Sequence, residues 1–325
     1  MLPSASIDYL LYYVLKYYER KWVMRLKKRS ESVELLTMRG LNVRMSLSNK
    51  EKFQYLNLEK GYEGEIMFDF MLEDLQEERY ILEDLLFEIN GSYFQIDTLV
   101  ITQGVIYLLD IKNYQENCYF DSDKLYAVDT GQEYKNPLDQ LKRSTTLFRQ
   151  LLQKTNQSYL IEPYLIFINP EFTLYQVPPN LPIILPTQVP PFVKDLNNSP
   201  SIVNEGHKKL AQLLISLHKT KNPFAFIPKY KYKHLRKGVY CKVCKSFEIK
   251  KKNLDFVCGK CGEHERIELA ILRNTKEMIL LFPDKKITTQ SIFEWCNVDI
   301  NKKTIRRVLK KHFTAKGTTS DTYFE

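Results

Sequence analysis

The 325-residue chain has no run of the roughly 18 to 20 consecutive apolar residues that a membrane-spanning helix requires. Its most apolar N-terminal stretch, residues 9–15, is also too short and lacks the small-residue cleavage site of a secretory signal. Six cysteines without such a signal do not indicate a disulfide framework, and no internal repeat is present. The charged fraction of 27% excludes a wholly disordered chain. We therefore expect a soluble cytoplasmic protein of about two domains, with no membrane partner.

Charge is distributed unevenly along the chain, whose net charge is +9. Residues 61–145 carry 6 basic against 18 acidic side chains, whereas residues 229–325 carry 23 against 11 and residues 1–50 carry 10 against 4. An acidic middle between basic ends indicates carboxylate chemistry in one module and polyanion binding in the others. The alternative is that all of these residues belong to ordinary solvated faces.

Hydrophobic periodicity predicts a mixed α/β domain over residues 56–222. An antiparallel meander of three strands is indicated by apolar runs separated by turn residues, including an Asn-Gly pair. Helices are expected on either side of this meander, and further strands after it. The predicted elements are a helix over 65–75, strands over 80–89, 93–102 and 105–114, a helix over 137–154 capped by Asn136, strands over 164–168 and 183–185, and a helix over 204–219.

The remaining sequence is predicted to form four smaller regions. Residues 1–55 are interpreted as a basic helical region with an amphipathic helix over 7–29, and residues 223–237 as a basic linker. A small metal module is expected at 238–268. The tail, 269–325, has the pattern of a helix-turn-helix, with helices over 288–297 and 302–312.

Two aspartates lie in neighbouring strands of the predicted meander. Strict alternation places Asp97 on the same face as Leu99. If Gln103-Gly104 forms a two-residue turn, Asp97 also lies directly opposite Asp110. Like charges at that distance are destabilising, and a divalent cation such as Mg²⁺ or Mn²⁺ would relieve the repulsion by coordination.

Lys112 is expected on the same face as Asp110, two residues further along the strand. It could orient an attacking water and stabilise charge that builds up on a phosphate. The alternatives are that Lys112 forms a structural ion pair with one of the aspartates, or that one aspartate is protonated.

Three segments around these residues, in their order and spacing, resemble the nuclease-related domain (NERD), which looks like a branch of the PD-(D/E)XK nuclease superfamily. They are Gly61–Glu65, Gln95–Val100 and Leu109–Tyr114, and the resemblance covers roughly residues 60–175. It implies a PD-(D/E)XK nuclease-like mixed sheet flanked by helices. It also implies that Glu65, Asp97 and Asp110 are ligands of a catalytic cation, with Asp110 and Lys112 as the (D/E)XK pair.

The resemblance extends to an Asn-Pro-x-x-Gln pattern formed by Asn136, Pro137 and Gln140. It implies that Gln140 faces the site or the nucleic acid. By composition alone, Gln140 is a polar residue on a helix face, and Glu65 suits the first turn of a helix because of the helix dipole. The chain departs from the family at Asp110, where NERD proteins more often carry glutamate.

Four cysteines form two Cys-x-x-Cys pairs separated by 13 residues: Cys241, Cys244, Cys258 and Cys261. This spacing is typical of a zinc ribbon, in which four thiolates complete a tetrahedral, structural Zn²⁺ site. A thioredoxin-like redox pair is the alternative, but two matched pairs argue against it. Together with the tail, the ribbon is similar to the C-terminal part of longer NERD proteins.

Basic residues around the ribbon and in the tail are candidate contacts to nucleic acid. Lysines alternate with tyrosines near residue 230, a pattern that can track phosphates and stack bases. A solvated basic linker is the alternative. The candidates are Lys231, Lys233, Lys250, Lys251, Arg306, Arg307 and Lys310.

The sequence therefore predicts a Mg²⁺- or Mn²⁺-dependent nuclease, with DNA as the expected substrate and a C-terminal zinc-ribbon module that binds nucleic acid. A non-catalytic DNA-binding or regulatory protein that keeps a nuclease-like fold is the main alternative. An RNA-processing factor is a third possibility that the sequence does not separate from DNA binding.

Overall fold

The computed structural model describes residues 23–75, 78–199, 201–318 and 322–325. The described chain divides into two compact units. The first contains the residues up to Ser30 and Leu58–Pro223, and the second contains Glu31–Asn57 and Phe224–Glu325. Among the described residues, no helix has both the length and the apolar content needed to cross a membrane.

The first unit is built on a six-stranded mixed sheet and a smaller four-stranded sheet. The strands are β1 (Val23–Lys27), β2 (Arg79–Ile89), β3 (Ser92–Ile101), β4 (Val105–Lys112), β5 (Cys118–Asp121), β6 (Lys124–Ala127), β7 (Glu133–Tyr134), β8 (Leu160–Phe167), β9 (Leu174–Tyr175) and β10 (Ile183–Ile184). The large sheet has the order β1-β2-β3-β4-β8-β10, and the small sheet has the order β7-β6-β5-β9. Strands β2, β3 and β4 pair antiparallel, which confirms the predicted meander.

Eight α-helices are found in the described residues. They are α1 (Val33–Arg44), α2 (Asn49–Met71), α3 (Pro137–Lys154), α4 (Val189–Asn198), α5 (Glu205–Leu217), α6 (Ile267–Leu281), α7 (Thr289–Cys296) and α8 (Lys302–His312). The boundary between the two units falls within α2. As predicted, Asn136 caps α3 by accepting a 2.9 Å hydrogen bond from the backbone N–H of Leu138.

The large sheet is covered by helices on both faces, because its strands are apolar on both sides. Alternating residues of β2, β3, β4 and β8 pack in two separate clusters, one with α3 and α5 and the other with α2 and α4. Leu108, for example, belongs to the first cluster and Leu109 to the second. This mixed α/β arrangement is the one expected for a nuclease-like fold.

The predicted helix over residues 7–29 is wrong for its described part. Val23–Lys27 forms the strand β1, which pairs in parallel with β2. Residues 7–22 lie outside the described residues. Two basic side chains of this strand contact acidic residues of β2: Arg25 pairs with Glu83 at 3.2 Å, and Lys27 lies 3.9 Å from Asp84. The basic residues of this strand therefore form tertiary ion pairs.

The second unit contains α1, the C-terminal helices and two small sheets. Its strands are β11 (Ile249–Lys252), β12 (Asp255–Cys258), β13 (His264–Arg266), β14 (Ala315–Lys316) and β15 (Tyr323–Phe324). Its core includes a fully buried arginine, Arg44 of α1, whose guanidinium contacts the Glu277 carboxylate at 2.5 Å and lies 4.0 Å from the Trp295 ring. Asn274 accepts a further hydrogen bond from Arg44 at 2.8 Å. A charge can remain buried there because its donors are satisfied.

Candidate functional site

The end of β4 carries an aspartate and a lysine in direct contact. The Lys112 ammonium lies 2.5 Å from Oδ1 of Asp110, and the Asp110 residue is only 6% exposed. Burial disfavours the charged form of Lys112, but the carboxylates of Asp110 and Asp97 outweigh it and raise the pKa of the lysine. Lys112 is therefore a positive charge beside the two aspartates. It can stabilise an anion or hold a water.

Asp97 lies on the neighbouring strand β3, beside this pair. The predicted register is confirmed, since Ile101 pairs with Ile106 and the ladder continues to Thr98 opposite Leu109. The two aspartates follow one step beyond that last pair. There, Oδ2 of Asp97 accepts a 2.9 Å hydrogen bond from the backbone N–H of Ile111. This bond orients the Asp97 carboxylate toward β4.

The prediction that Asp97 shares a face with Leu99 rested on strict alternation, and alternation fails here. In β3, Phe94 and Ile96 pack in the same cluster as Leu99 and Ile101, so the pattern slips by one residue between Ile96 and Leu99. The physical cause lies in the kinked backbone of the paired strand. Asp84 of β2 has a φ of 53°, a left-handed conformation in the middle of a strand.

A backbone outlier of this kind is rare for a residue other than glycine and often occurs at a functional site. Asp84 adds a further carboxylate to the region and accepts a 3.2 Å hydrogen bond from Gln95. The hydrophobic pattern of the sequence does not predict this kink, because an aspartate within a strand is as compatible with a straight backbone as with a kinked one.

Glu65 lies on α2, but an arginine holds its side chain. The Arg29 guanidinium is 2.6 Å from the Glu65 carboxylate and 2.8 Å from the carboxylate of Asp69. It also donates to the backbone carbonyl of Asp97 at 2.9 Å and to the Thr98 hydroxyl at 3.0 Å. With its side chain only 2% exposed, Arg29 is a permanent internal cation of the site.

Sequence reasoning missed Arg29 and Asp69. Arg29 falls at the end of the helix predicted over 7–29, and nothing local in the sequence indicates a buried partner for it. Asp69 follows Glu65 by four residues, a spacing that places both on the same face of α2. Burial and the nearby charge of Asp97 raise the pKa of Glu65, against the lowering effect of Arg29.

A glycine allows α2 to approach the end of β4. A Cβ atom at Gly64 would lie 2.5 Å from the Cβ of Asn113, which directly follows Lys112 in the sequence. Asn113 in turn donates a 2.8 Å hydrogen bond to the carbonyl of Lys60. Gly64 thus allows the following residue, Glu65, to come close to the sheet edge, because a glycine has no side chain.

The three predicted carboxylate ligands do not form one tight cluster in this structure. Among the described residues, the four cysteines are the only group of three or more potential ligands within metal-binding distance of one another. The Glu65 carboxylate is instead paired with Arg29. Asp97 and Asp110 nevertheless fit a hard cation. Both are buried carboxylates, and carboxylate oxygens are the ligands that a hard cation prefers.

Gln140 is exposed on α3, and its side chain forms no hydrogen bond with any of the described residues. Its predicted role at the site is therefore unsupported by a contact. Asn136 of the same motif has a structural role, because it caps α3 and donates a 2.8 Å hydrogen bond to the carbonyl of Asp123.

The four cysteines of the second unit converge as the spacing predicted. The Sγ atoms of Cys241 and Cys261 are 3.6 Å apart, and those of Cys244 and Cys258 are 3.5 Å apart. Tetrahedral thiolates at a Zn–S distance of about 2.3 Å would be separated by roughly 3.8 Å. Strands β11, β12 and β13 form the ribbon sheet around them. The cluster can therefore hold one metal ion with four sulfur ligands and no open position.

The candidate nucleic-acid contacts are all exposed, but the tyrosines between them are not available for stacking on bases. Tyr232 stacks on Trp295 at 5.6 Å, and the Tyr230 hydroxyl donates to the carbonyl of Leu281 at 2.7 Å. Both rings belong to the core of the second unit. The exposed candidates are Lys231 and Lys233 at the short 3-10 helix before the ribbon (Tyr232–His234), Lys250 and Lys251 on β11, and Arg306, Arg307 and Lys310 on α8.

Comparison with protein families agrees with the three motifs. Residues 60–168, about one third of the chain, match the family described as the nuclease-related domain. No curated protein and no solved structure matches the chain. The region that matches the nuclease-related domain contains Glu65, Asp97, Asp110 and Lys112.

Proposed function

We propose that the first unit is a metal-dependent nuclease that hydrolyses phosphodiester bonds of DNA. The observation that carries the proposal is that Asp97, Asp110 and Lys112 lie close together on the adjoining strands β3 and β4, within the region that matches the nuclease-related domain. Two buried carboxylates beside one fixed ammonium provide oxygen ligands for a cation and a positive charge for a phosphate oxygen.

In the proposed mechanism, Asp97 and Asp110 would hold Mg²⁺ or Mn²⁺, and the Glu65 carboxylate would remain paired with Arg29. The cation would polarise the phosphate and lower the pKa of a bound water. The Ile111 N–H keeps the Asp97 carboxylate in place. Lys112 contributes its ammonium to the water or to the phosphate oxygen that gains charge. We also propose that the four cysteines hold a structural Zn²⁺ and that the second unit supplies affinity for nucleic acid.

One observation favours a second candidate, a non-catalytic DNA-binding or regulatory protein. The site charges already compensate one another in part, since Lys112 pairs with Asp110 and Arg29 pairs with Glu65 and Asp69. Such internal pairs would stabilise the fold without a cation.

The test is cleavage of labelled linear, nicked, circular and single-stranded DNA and of RNA, with Mg²⁺, Mn²⁺ or EDTA. Wild type is compared with Asp97→Ala, with Asp97→Asn, which keeps an acceptor for the Ile111 N–H, and with Asp129→Ala as an exposed acidic control. Metal-dependent cleavage that falls at least about hundredfold in both Asp97 variants, but not in the control, supports the enzyme. Tight binding without cleavage of any substrate favours the non-catalytic candidate.

A further inference from the structure

The C-terminal part of the second unit has the element order of a winged helix. Helices α6, α7 and α8 are followed by the antiparallel pair β14 and β15. Ile287, just before α7, forms an antiparallel bridge with Phe324 of β15 and so adds a third strand position. The helix-turn-helix expected from the sequence is therefore closed by a small sheet. In helix-turn-helix proteins, the second helix of the pair enters the major groove of DNA.

Helix α8 holds the second position and is built with one apolar side. Asn301 caps it by accepting a 2.8 Å hydrogen bond from the N–H of Thr304. Ile305, Val308 and Leu309 are buried in the core of the unit. This anchoring fixes the helix rotation, and the residues on the opposite side face solvent.

The outward side of α8 is strongly basic and unpaired. Lys303, Arg306, Arg307 and Lys310 are exposed, and none of them forms an ion pair with a described residue. Nearby Lys311 and His312 differ, because both contact the Glu268 carboxylate, at 2.6 and 2.8 Å. Lys311 and His312 therefore support the fold, whereas the four exposed cations of α8 are available to a ligand.

A groove continues this basic surface toward the ribbon. Its volume is about 680 Å³, and its lining includes Lys251 of β11, Arg266, Thr304 and Arg307. Lys250, Lys251 and Lys252 are all exposed along β11. Two elements of the same unit thus border the groove with positive charge, a helix on one side and a ribbon strand on the other.

From this arrangement we infer that the second unit binds double-stranded DNA, with α8 in the major groove and the β11 lysines on the adjacent phosphates. An α-helix with its side chains is about 10–12 Å across, which matches the roughly 12 Å width of the B-DNA major groove. The major groove of an RNA duplex is too deep and narrow for a helix. The inference rests on the proposed function for its biological meaning, but its test is binding, which is independent of cleavage.

The experiment measures binding of the full chain, without added Mg²⁺ or Mn²⁺, to fluorescent DNA duplex, RNA duplex and single-stranded DNA of equal length. The variant combines Arg306→Ala, Arg307→Ala and Lys310→Ala. The matched control removes three exposed lysines of the same unit outside α8 and β11, by Lys50→Ala, Lys52→Ala and Lys276→Ala. Both variants lose three positive charges, and their folding is compared by circular dichroism.

We expect wild type to bind the DNA duplex at least about tenfold more tightly than the RNA duplex or the single strand. The α8 variant should weaken duplex binding at least about tenfold, and its log-affinity should depend on log salt concentration with a slope shallower by about 2 to 3. The control should stay within about threefold of wild type.

Equal affinity for the three ligands, preference for RNA, or equal losses in the α8 and control variants would each overturn the inference. Duplex binding without cleavage by wild type would instead count against the nuclease and leave this inference intact. If wild type cleaves DNA but the α8 variant binds as tightly as the control variant, the result would count against the role of α8 alone.

Discussion

At the residue scale, the proposed site is an arrangement of opposite charges within hydrogen-bonding distance. Arg29 contacts two carboxylates, and Lys112 contacts a third. Removal of one partner from such a buried pair leaves an uncompensated charge, which costs more than the pair itself contributes. The roles of these residues can therefore be separated by comparing stability with activity.

Arg29→Ala should lower the free energy of unfolding by roughly 3 to 5 kcal/mol, because Glu65 and Asp69 would remain buried without their cation. Denaturant-induced unfolding followed by circular dichroism measures the change. Lys28→Ala is the control, since Lys28 is exposed and pairs with no described residue. If the two variants unfold at the same denaturant concentration, Arg29 does not have the structural role described here.

Lys112→Ala should abolish cleavage while leaving DNA affinity nearly unchanged, because the ammonium acts on the phosphate or the water and contributes little to overall binding. Cleavage rates and binding are measured on the same DNA. Lys124→Ala removes an exposed lysine of the same unit and is expected to behave like wild type. A Lys112 variant that retains the wild-type rate would remove this residue from the mechanism.

At the element scale, the approach of α2 to the end of β4 determines where Glu65 lies. Gly64 is the contact point, and Gly61 lies one turn earlier on the same helix with no atom within 4 Å of an added Cβ. The two glycines therefore offer a matched pair of substitutions.

Gly64→Ala should destabilise the protein by roughly 1 to 3 kcal/mol, because the new methyl group would overlap Asn113 and displace the helix. Gly61→Ala should instead be neutral or stabilising by up to about 1 kcal/mol through helix propensity. Thermal or denaturant unfolding compares the two. Equal effects would show that the close approach at Gly64 is not a constraint.

Much of the element arrangement followed from the sequence, and the failures have specific causes. The β3–β4 register was predictable because the two-residue turn at Gln103-Gly104 fixes it. Helix α3 was predictable from Asn136 and its apolar spacing. The kink at Asp84 and the tertiary pairs of Arg29 were not, because each depends on residues far away in the chain.

At the scale of the whole molecule, the acidic segment and the basic C-terminal segment of the chain lie in different units. Residues 61–145, with their acidic excess, lie in the first unit, and residues 229–325, with their basic excess, lie in the second. The second unit also recruits Glu31–Asn57 from the N-terminal half, with Arg44 in its core. Affinity for a polyanion and carboxylate chemistry are thus predicted to reside in separate units.

Metal removal tests the part of the second unit built on cysteines. Replacement of all four cysteines by serine should eliminate one bound Zn²⁺ per chain, unfold the ribbon and weaken DNA binding, because the site contributes folding free energy. Elemental analysis and DNA titration measure these effects. Replacement of the buried Cys118, which lies in the first unit, is the control for metal content. Unchanged zinc content in the four-serine variant would contradict the assignment.

Whether Asp97 and Asp110 bind a divalent cation is tested most directly by counting the Mn²⁺ ions that the protein binds. Electron paramagnetic resonance measures free Mn²⁺ as zinc-loaded protein is titrated, in wild type and in Asp97→Asn and Asp110→Asn. We expect one Mn²⁺ per wild-type chain, with the Mn²⁺ affinity weakened at least about tenfold in each variant. Identical titrations for all three proteins would contradict it.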